Sequence, residues 1–511
     1  MKQKYRRLVV NRILVTAVLI LIQVIWLIFQ MEKLTGYSEL VSWGFQILSL
    51  LVVLYIIGKD DNSAYKIGWI ILIMLMPLLG GLIYLVYGDK KPSGKMRKKL
   101  QGQHELYREM ILKQGLTQKE SREKYDRASA TFHYIQNSSD FPAYENTDVV
   151  YYPCGEMMFE AMLEELEAAE HYIFLEYFIV AEGKMWERML EILKRKADQG
   201  VDVRMIYDDM GCIALLPAGY HSWLEKAGIK CMAFNPVIPL VSLVMNHRDH
   251  RKILVIDGHT AFTGGINLAD EYINQKSRFG YWKDTGICLK GEAVWSFTVM
   301  FLELWNAWRR EDENISRFRP HVWHPQPFDG TGLICPYSDS PLDGEPLAEN
   351  IYLDIINQAQ HYVYIFTPYL IIDDVMRKTL CHASARGVDV RIVTPAIPDK
   401  KMVFRLTRSN YAPLLKAGIR IYEYTPGFIH AKSYICDDEF GVVGSVNMDY
   451  RSLYLHFECA ALMYRTNGLK ELKQDAVNTI AQSREITLRD CKQGFFGELF
   501  DSVLRVFAPL C

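Results

Sequence analysis

The sequence has no pair of cysteines close enough to share a metal ion. Its ten cysteines stand at 154, 212, 231, 288, 335, 381, 436, 459, 491 and 511, with no C-x-x-C spacing among them. That argues against a cysteine zinc site and against a dense disulfide scaffold. An excess of either charge is also missing, since 58 Lys and Arg face 60 Asp and Glu for a formal net charge of −2. A strongly basic nucleic-acid binder does not fit that balance. Global disorder does not fit a chain that is 50% hydrophobic and 23% charged. A length of 511 residues is too great for one core and predicts two or three packed units.

Long apolar runs are confined to residues 1–88, at 9–29, 40–57 and 67–87. Each is near the roughly 20 residues that carry a helix across a hydrocarbon layer of about 30 Å. The first follows Lys2, Lys4, Arg6 and Arg7, but it is longer than a signal-peptide core and no small-x-small cleavage site follows it, so it reads as a retained anchor. In the third, Pro77, Gly80 and Gly81 suit a membrane span better than a soluble helix. The expectation is an integral, multi-pass protein of the cell membrane with two or three spans. Three spans leave seven basic residues near each face, a balance that favours neither orientation. With one run lying in the interface, the basic cluster at 90–99 sits on anionic cytoplasmic lipid, each charge adding about 1 kcal/mol of attraction. That arrangement puts the rest of the chain on the cytoplasmic side.

Residues 89–140 read as a polar, basic linker with helical stretches. Beyond them apolar runs alternate with amphipathic helical segments, the pattern of α/β layers. Helices are expected at 157–169, 186–198 and 348–360, and strands at 172–180, 201–207 and 362–371. The order occurs twice. His-Tyr opens a strand at 171 and at 361, Gly-Val-Asp-Val-Arg occurs at 200–204 and 387–391, and Lys-Ala-Gly-Ile at 226–229 and 416–419. These offsets exceed any solenoid period and indicate a duplicated domain, with halves at 141–325 and 326–511.

A longer string also recurs. His250-Arg-Lys252 is followed by Asp257 and by Gly264-Gly265-x-Asn267; His430-Ala-Lys432 is followed by Asp437 and by Gly444-Ser445-x-Asn447, at identical spacing. Residues 253–256 and 433–436 are apolar enough to be strands, on which alternate side chains face one way. His250 and Lys252 then share a face, as do His430 and Lys432, whereas Asp257 and Asp437 have the opposite parity and fall at strand ends. Parity thus predicts that the aspartates hold a turn. Two imidazoles, two ammonium groups and two asparagine amides suit a phosphodiester. The lysines, Asn267 and Asn447 can bind non-bridging oxygens, while one imidazole attacks phosphorus and the other protonates the leaving oxygen. No metal or other cofactor is demanded.

At these residues the chain resembles the phospholipase D superfamily, whose mark is a pair of HxKx4D motifs each followed by a Gly-Gly/Ser-x-Asn turn. Residues 59–88, 246–252 and 264–272 further resemble bacterial cardiolipin synthases. The resemblance implies mixed β-sheets flanked by helices, two domains related by pseudo-twofold symmetry, one shared active site, and His250, Lys252, Asp257, His430, Lys432 and Asp437 as its catalytic motif residues. It also implies transfer of a phosphatidyl group from one phosphatidylglycerol to another, with His250 as nucleophile and His430 as proton donor and acceptor. In related enzymes an acidic residue after each motif orients the histidine; Asp284 and Glu458 match, and Glu458, set between apolar residues, is expected to partner His430. The expected partners are phosphatidylglycerol and membrane lipid, not nucleic acid. A lipid hydrolase shares the double motif and differs only in admitting water; a nuclease or a non-catalytic scaffold fits the composition and the intact motifs less well.

Two apolar segments remain. Residues 237–245, which carry no charge, read as a plain strand or as a loop that dips into the bilayer. In the last, Phe496, Leu499, Phe500, Val503, Leu504 and Phe507 fall at helical spacing, predicting an amphipathic helix that packs on the core or, in the second reading, lies on a membrane surface. Trp295, Trp305 and Trp308 are expected to pack on a helix, and His221, His259, His321, His324 and His382 to be inert.

Overall fold

The computed structural model describes residues 39–76, 80–81, 83–84, 88, 94–113, 115–236, 247–309, 311 and 314–510. The apolar runs at 9–29 and 237–245 lie outside the described residues.

Two mixed sheets form the body. In the first half the strands are β1 (Thr147–Tyr152), β2 (Tyr172–Tyr177), β3 (Asp202–Asp208), β4 (Lys230–Phe234), β5 (Lys252–Ile256), β6 (Thr260–Gly264), β7 (Tyr281–Lys283) and β8 (Gly286–Gly291). In the second they are β9 (Leu333–Asp339), β10 (Tyr362–Phe366), β11 (Asp389–Pro395), β12 (Arg420–Tyr424), β13 (Gly427–Ile429), β14 (Ser433–Cys436), β15 (Phe440–Gly444), β16 (Glu458–Tyr464) and β17 (Ser483–Ile486). The first sheet runs β1-β8-β6-β5-β2-β3-β4 and the second β9-β16-β15-β14-β10-β11-β12-β17. Apart from the added edge strand β17, the two orders are the same, and in both the motif strand (β5 or β14) pairs antiparallel with the strand opened by His-Tyr. The duplication read in the sequence is therefore a duplication of topology.

Strand alternation sorts the side chains into layers. Ile253 and Val255 of β5 join the core between the sheets, while Leu254 and Ile256 join the core under the helices Gly155–Ala168 and Lys184–Asp198. Ile435 of β14 likewise faces the central core and Tyr434 and Cys436 the outer one. The helix Val294–Trp308 runs through the centre and is buried along nearly its whole length, including Trp295 and Trp305. Each such aromatic removes a large apolar area from water and contributes about 2–3 kcal/mol.

The repeated strings have local causes. Gly-Val-Asp-Val-Arg and Lys-Ala-Gly-Ile each begin a strand after a helix, and their glycines sit at φ +93° and +81° in the first half and +92° and +91° in the second. Only glycine takes this left-handed conformation without steric cost, so both strings are helix C-caps that turn the chain into the sheet.

Two expectations need correction. The segment 89–140 is not a linker. Its helix Gly94–Leu112 buries Leu100, Tyr107 and Ile111, and Tyr107 Oη accepts a hydrogen bond from Asn306 at 2.7 Å; the helix Asp126–Ser139 places Ala128, Phe132 and Ile135 in the second half's core. Its apolar stripes are only a few residues each, too thin for composition to show. The third apolar run is not one helix, because Ser63–Leu75 ends at Met76, before Pro77, and thirteen residues rise only about 20 Å. The second run does form a helix, Glu39–Gly58, but among the described residues no helix is long and apolar enough to cross a membrane.

Asp257 and Asp437, placed with the catalytic motif residues, lie at the far ends of their strands. Asp257 accepts the backbone N–H groups of Glu170, His171 and Tyr172 at 2.8 Å each. Asp437 does the same for Gln360, His361 and Tyr362 at 2.7–2.9 Å. Both sit at positive φ, and the recurrent His-Tyr strings supply two of the three donors in each half. The aspartates lock the motif strand to its neighbour, as parity predicts. Removing one acceptor leaves three donors unpaired at a cost of about 1–3 kcal/mol for each that is buried. Asp257→Ala is expected to lower the unfolding free energy by about 3 kcal/mol or more, measured by chemical unfolding; native stability in that variant would refute the locking role.

Candidate active site

Each motif histidine sits where one half is stitched to the other. His250 donates its backbone N–H to the carbonyl of Phe457 at 2.9 Å, and Phe457 N–H donates to Arg248 at 2.9 Å. In the reciprocal position His430 donates its N–H to Lys283 at 2.7 Å, next to the parallel pairing of β7 with β13. Phe457 and Lys283 are the residues immediately before Glu458 and Asp284. Backbone pairing between the halves thus sets each histidine beside the carboxylate that belongs to the other half.

The side chains follow. His250 Nδ1 lies 2.8 and 2.9 Å from the two oxygens of Glu458, and His430 Nδ1 lies 2.7 Å from Asp284 Oδ2. This corrects the expectation that each acid serves the histidine preceding it: the pairs cross, because the nearest carboxylate in space comes from the partner half rather than from the same sheet. The carboxylates are anchored at home. Asp284 Oδ1 accepts the N–H of Thr285 at 2.9 Å, and Ser445 Oγ donates to Glu458. That contact accounts for the one difference between the two motif turns. A Cβ on Gly265 would stand 2.0 Å from Asp284 Oδ1, so only glycine fits there, whereas the equivalent Ser445 uses its hydroxyl to hold Glu458.

His250, His430, Asn267 and Asn447 line one cavity of about 750 Å³. Lys252 and Lys432 are buried behind the cavity wall, each donating to the carbonyl of its own motif histidine. Lys432 Nζ also lies 2.8 Å from His430 Nδ1. One ring nitrogen carries one proton, and the carboxylate of Asp284 is the group that can accept it; Lys432 is then a neighbouring cation rather than a second partner of Nδ1. Asn267 is oriented by accepting from Ile179 N–H at 3.0 Å and donating to Tyr272 Oη at 2.7 Å, while Asn447 Oδ1 has no partner among the described residues.

Several cavity residues escaped the sequence reading. Phe178 packs edge-on against His250 at 4.9 Å between ring centroids, and Tyr272 and Trp282 flank His430 at 5.6 and 5.3 Å. A third imidazole, His456, stands 6.0 Å from His250 in the same cavity, beside Arg248 and Arg451. His456 is two residues before Glu458, and only the strand spacing around that acid marks it. Lys283, inside the Trp-Lys-Asp string, bridges to Asp475 at 2.7 Å and ties the halves again.

Burial dominates the electrostatics. Desolvation, then the charges of Lys252 and Lys432, hold His250 well below its ordinary pKa, and burial with Lys432 brings His430 down to about 4. Burial lowers Lys252 to about 8 and Lys432 to about 7, and raises Glu458 to about 7. The common cause is the cost of an ion in a dry site. Both imidazoles are therefore neutral bases near pH 7. With each Nδ1 bonded to a carboxylate, Nε2 is the ring nitrogen left with a lone pair. An anion entering the cavity would offset the lysines and restore proton affinity to the ring beside it. Among the described residues no three His, Cys, Asp or Glu are grouped to hold a metal ion.

The family model described as cardiolipin synthase, PLD-like domain, matches residues 162–279 and again 352–479, and the phospholipase D-nuclease N-terminal model matches 47–88. An uncharacterized protein of Streptococcus mutans is 46% identical over 90% of this chain and 99% of its own length. A cardiolipin synthase of Geobacillus sp. strain WCH70 is 33% identical over 94% of each chain. The phosphatidylserine synthase of Haemophilus influenzae Rd KW20 superposes with a TM-score of 0.54 at 14% identity, covering 71% of this chain and 93% of that one; at that identity the likeness concerns the fold.

The Gly265 contact makes a comparison possible. Gly265→Ala must displace the Asp284 carboxylate and is expected to cost about 3 kcal/mol of stability, as overpacking does, whereas Ser445→Ala, which loses its buried bonds to Glu458 and to the backbone of Cys459, is expected to cost about 1–3 kcal/mol. Chemical unfolding of the two variants checks this, and native stability in Gly265→Ala would contradict the close approach.

Proposed function

The chain belongs to the cardiolipin synthase family of phospholipase D-like proteins, and on that premise we propose that it joins two phosphatidylglycerol molecules into cardiolipin and releases glycerol. The observation that carries this reading is the single cavity into which both halves place a neutral imidazole backed by a carboxylate. His250, whose proton affinity is held well down, attacks phosphorus through Nε2. The bond from phosphorus to the glycerol head-group oxygen breaks, and His430, which takes up a proton from water at Nε2 once the anionic substrate has entered, delivers it to that oxygen. Glycerol leaves, and the phosphatidyl group remains on His250 as a phosphoramidate. His430 then takes the proton of a primary hydroxyl on the second phosphatidylglycerol, that oxygen attacks phosphorus, and the P–N bond breaks. The same base serves both steps, and both steps pass through one site shared by the halves along a pseudo-twofold axis. Lys252 and Lys432 supply positive charge as the equatorial oxygens gain negative charge, and Asn267 and Asn447 donate to those oxygens. Asp284 and Glu458 fix the tautomers of His430 and His250. Asp257 and Asp437 act only through the strands they lock.

Residues 1–88 are assigned as a membrane anchor, so the enzyme is an integral cell-membrane protein. Support comes from the helix Glu39–Gly58, which leaves Trp43, Ile47, Leu50, Leu51 and Leu54 exposed. Lys95, Arg97, Lys98 and Lys99 open the helix Gly94–Leu112 and suit anionic lipid on the cytoplasmic face. Water transfer, the hydrolase alternative, uses the same residues and is separated by product.

Purified protein given labelled phosphatidylglycerol in vesicles is expected to yield cardiolipin and glycerol; phosphatidic acid alone would establish a hydrolase instead. His250→Ala and His430→Ala are each expected to reduce turnover by about a thousandfold or more while the protein stays folded. The lysines set a pH dependence. An ammonium is lost as pH rises through its pKa, so kcat/KM for phosphatidylglycerol is expected to fall between pH 7 and 8 and above, following Lys432 at about 7 and Lys252 at about 8. A profile flat to pH 10 would show that neither lysine acts as a cation.

A further inference from the structure

The C-terminal helix Phe495–Phe507 is packed with its polar side inward. Of its residues Asp501 is the buried one. Its carboxylate is held by Arg405 Nε and by Gln493 Nε2 at 2.8 Å, and Arg505 binds Ser409 from the same side. Phe495 and Phe496 are 74% and 82% exposed, and Leu499, Phe500 and Val503 are exposed as well. At 100° per residue these five span one face, opposite Asp501. A helix free to turn would bury such a face against the core. Here a buried, fully paired carboxylate fixes the reverse orientation, and unpairing it would be costly.

What covers that face follows from its neighbours. The helix Ser63–Leu75 lies beside the C-terminal helix, close enough that a Cβ on Gly68 would stand 3.1 Å from the carbonyl of Val506. That helix exposes Ile67, Ile71, Met74 and Leu75, again at helical spacing, and it leads back to Glu39–Gly58 with its own exposed apolar residues. The exposed apolar positions of Glu39–Gly58, among them Leu48, Leu50, Leu54 and Ile57, cover about half its circumference. Its other side packs through Val53 and Ile56 on Ile73 of Ser63–Leu75, so each of these helices buries one face in the protein and turns an apolar face outward, as an element seated at a lipid interface does. Cations border the surface: Lys400 and Lys401 are exposed at the start of the neighbouring helix Lys401–Ser409, beside the exposed Met402. The surface also adjoins the candidate site. Ile371 and Val403 line the catalytic cavity on one side and on the other join the cluster in which Tyr65, Trp69, Leu504 and Ala508 pack.

We propose that the helix Phe495–Phe507 is a second membrane-docking element, which lays its phenylalanine face on an anionic bilayer and seats the mouth of the cavity at the lipid surface. Its docking rests on the exposed face alone, and its service to the cavity rests on the phosphatidylglycerol reading. Two measurements on the full chain keep these apart. In the first, Phe496→Cys and Glu498→Cys are labelled with a polarity-sensitive fluorophore and the protein is reconstituted into phosphatidylglycerol vesicles with brominated acyl chains. The label at 496 is expected to shift to the blue and be quenched, and the one at 498 much less; a label at 496 that stays in water overturns docking, as does one shielded without quenching, which means that protein covers the face. In the second, Phe496→Glu combined with Leu499→Glu is expected to lose tenfold or more of the activity on vesicles while activity on short-chain, monomeric phosphatidylglycerol stays within twofold. Unchanged vesicle activity overturns the link to the cavity, and so does equal loss on both substrates. Native protein inactive on either substrate would count against the phosphatidylglycerol reading and leave the fluorescence result standing.

Discussion

The carboxylate of one half holding the imidazole of the other is the interaction on which the site depends. Neither half contains a complete pair. Glu458 is anchored in the second sheet by Ser445 and reaches His250; Asp284 is anchored beside Gly265 in the first and reaches His430. The backbone makes the crossing unavoidable, because each histidine's N–H is bound by the residue just before the opposite acid. Removing either acid while the halves stay together would leave its imidazole and the neighbouring lysines in a dry interior without the compensating charge. The duplicated fold is therefore held together by the same contacts that would make it chemically competent.

That burial sets the working state of the site. Two lysines and two carboxylates share a region closed to water, and each feels the desolvation of the rest, so the lysines come down and Glu458 comes up toward neutrality. The result is a site poised near neutral pH, with two neutral, carboxylate-held imidazoles beside two lysines. A monoanionic phosphodiester supplies what the site lacks. Its charge keeps the lysines protonated and raises the affinity of the proton-donating ring, so a donor arises when substrate arrives. No step asks the free protein to keep an imidazolium in a site that expels one.

Much of this was legible in the amino-acid order, and what was not has physical causes. Two copies of one motif at one spacing disclosed both the duplication and the histidines, since strand period and turn glycines are local properties. The same period separated His250 and Lys252 from Asp257, and the structure shows the three backbone donors that Asp257 receives. Asp284 and Glu458 could be picked out but not paired, because pairing depends on how two sheets meet, and proximity along the chain pointed the wrong way. The helix Gly94–Leu112 buries only Leu100, Tyr107 and Ile111, too few to lift a polar segment out of the composition of a linker. The C-terminal helix showed its spacing plainly. Which face turned inward rested on Arg405, nearly a hundred residues away.

The central claim concerns which acid belongs to which histidine, and a stability double-mutant cycle tests it most directly. Unfolding free energies of His250→Ala, Glu458→Gln, Asp284→Asn and the two double variants give the coupling of His250 to each acid. Residues in contact couple by about 0.5–3 kcal/mol and independent ones add to within about 0.5 kcal/mol. The crossed arrangement predicts coupling of about 1 kcal/mol or more between His250 and Glu458 and markedly less between His250 and Asp284. The opposite ranking would place each histidine with the acid of its own half and contradict the account.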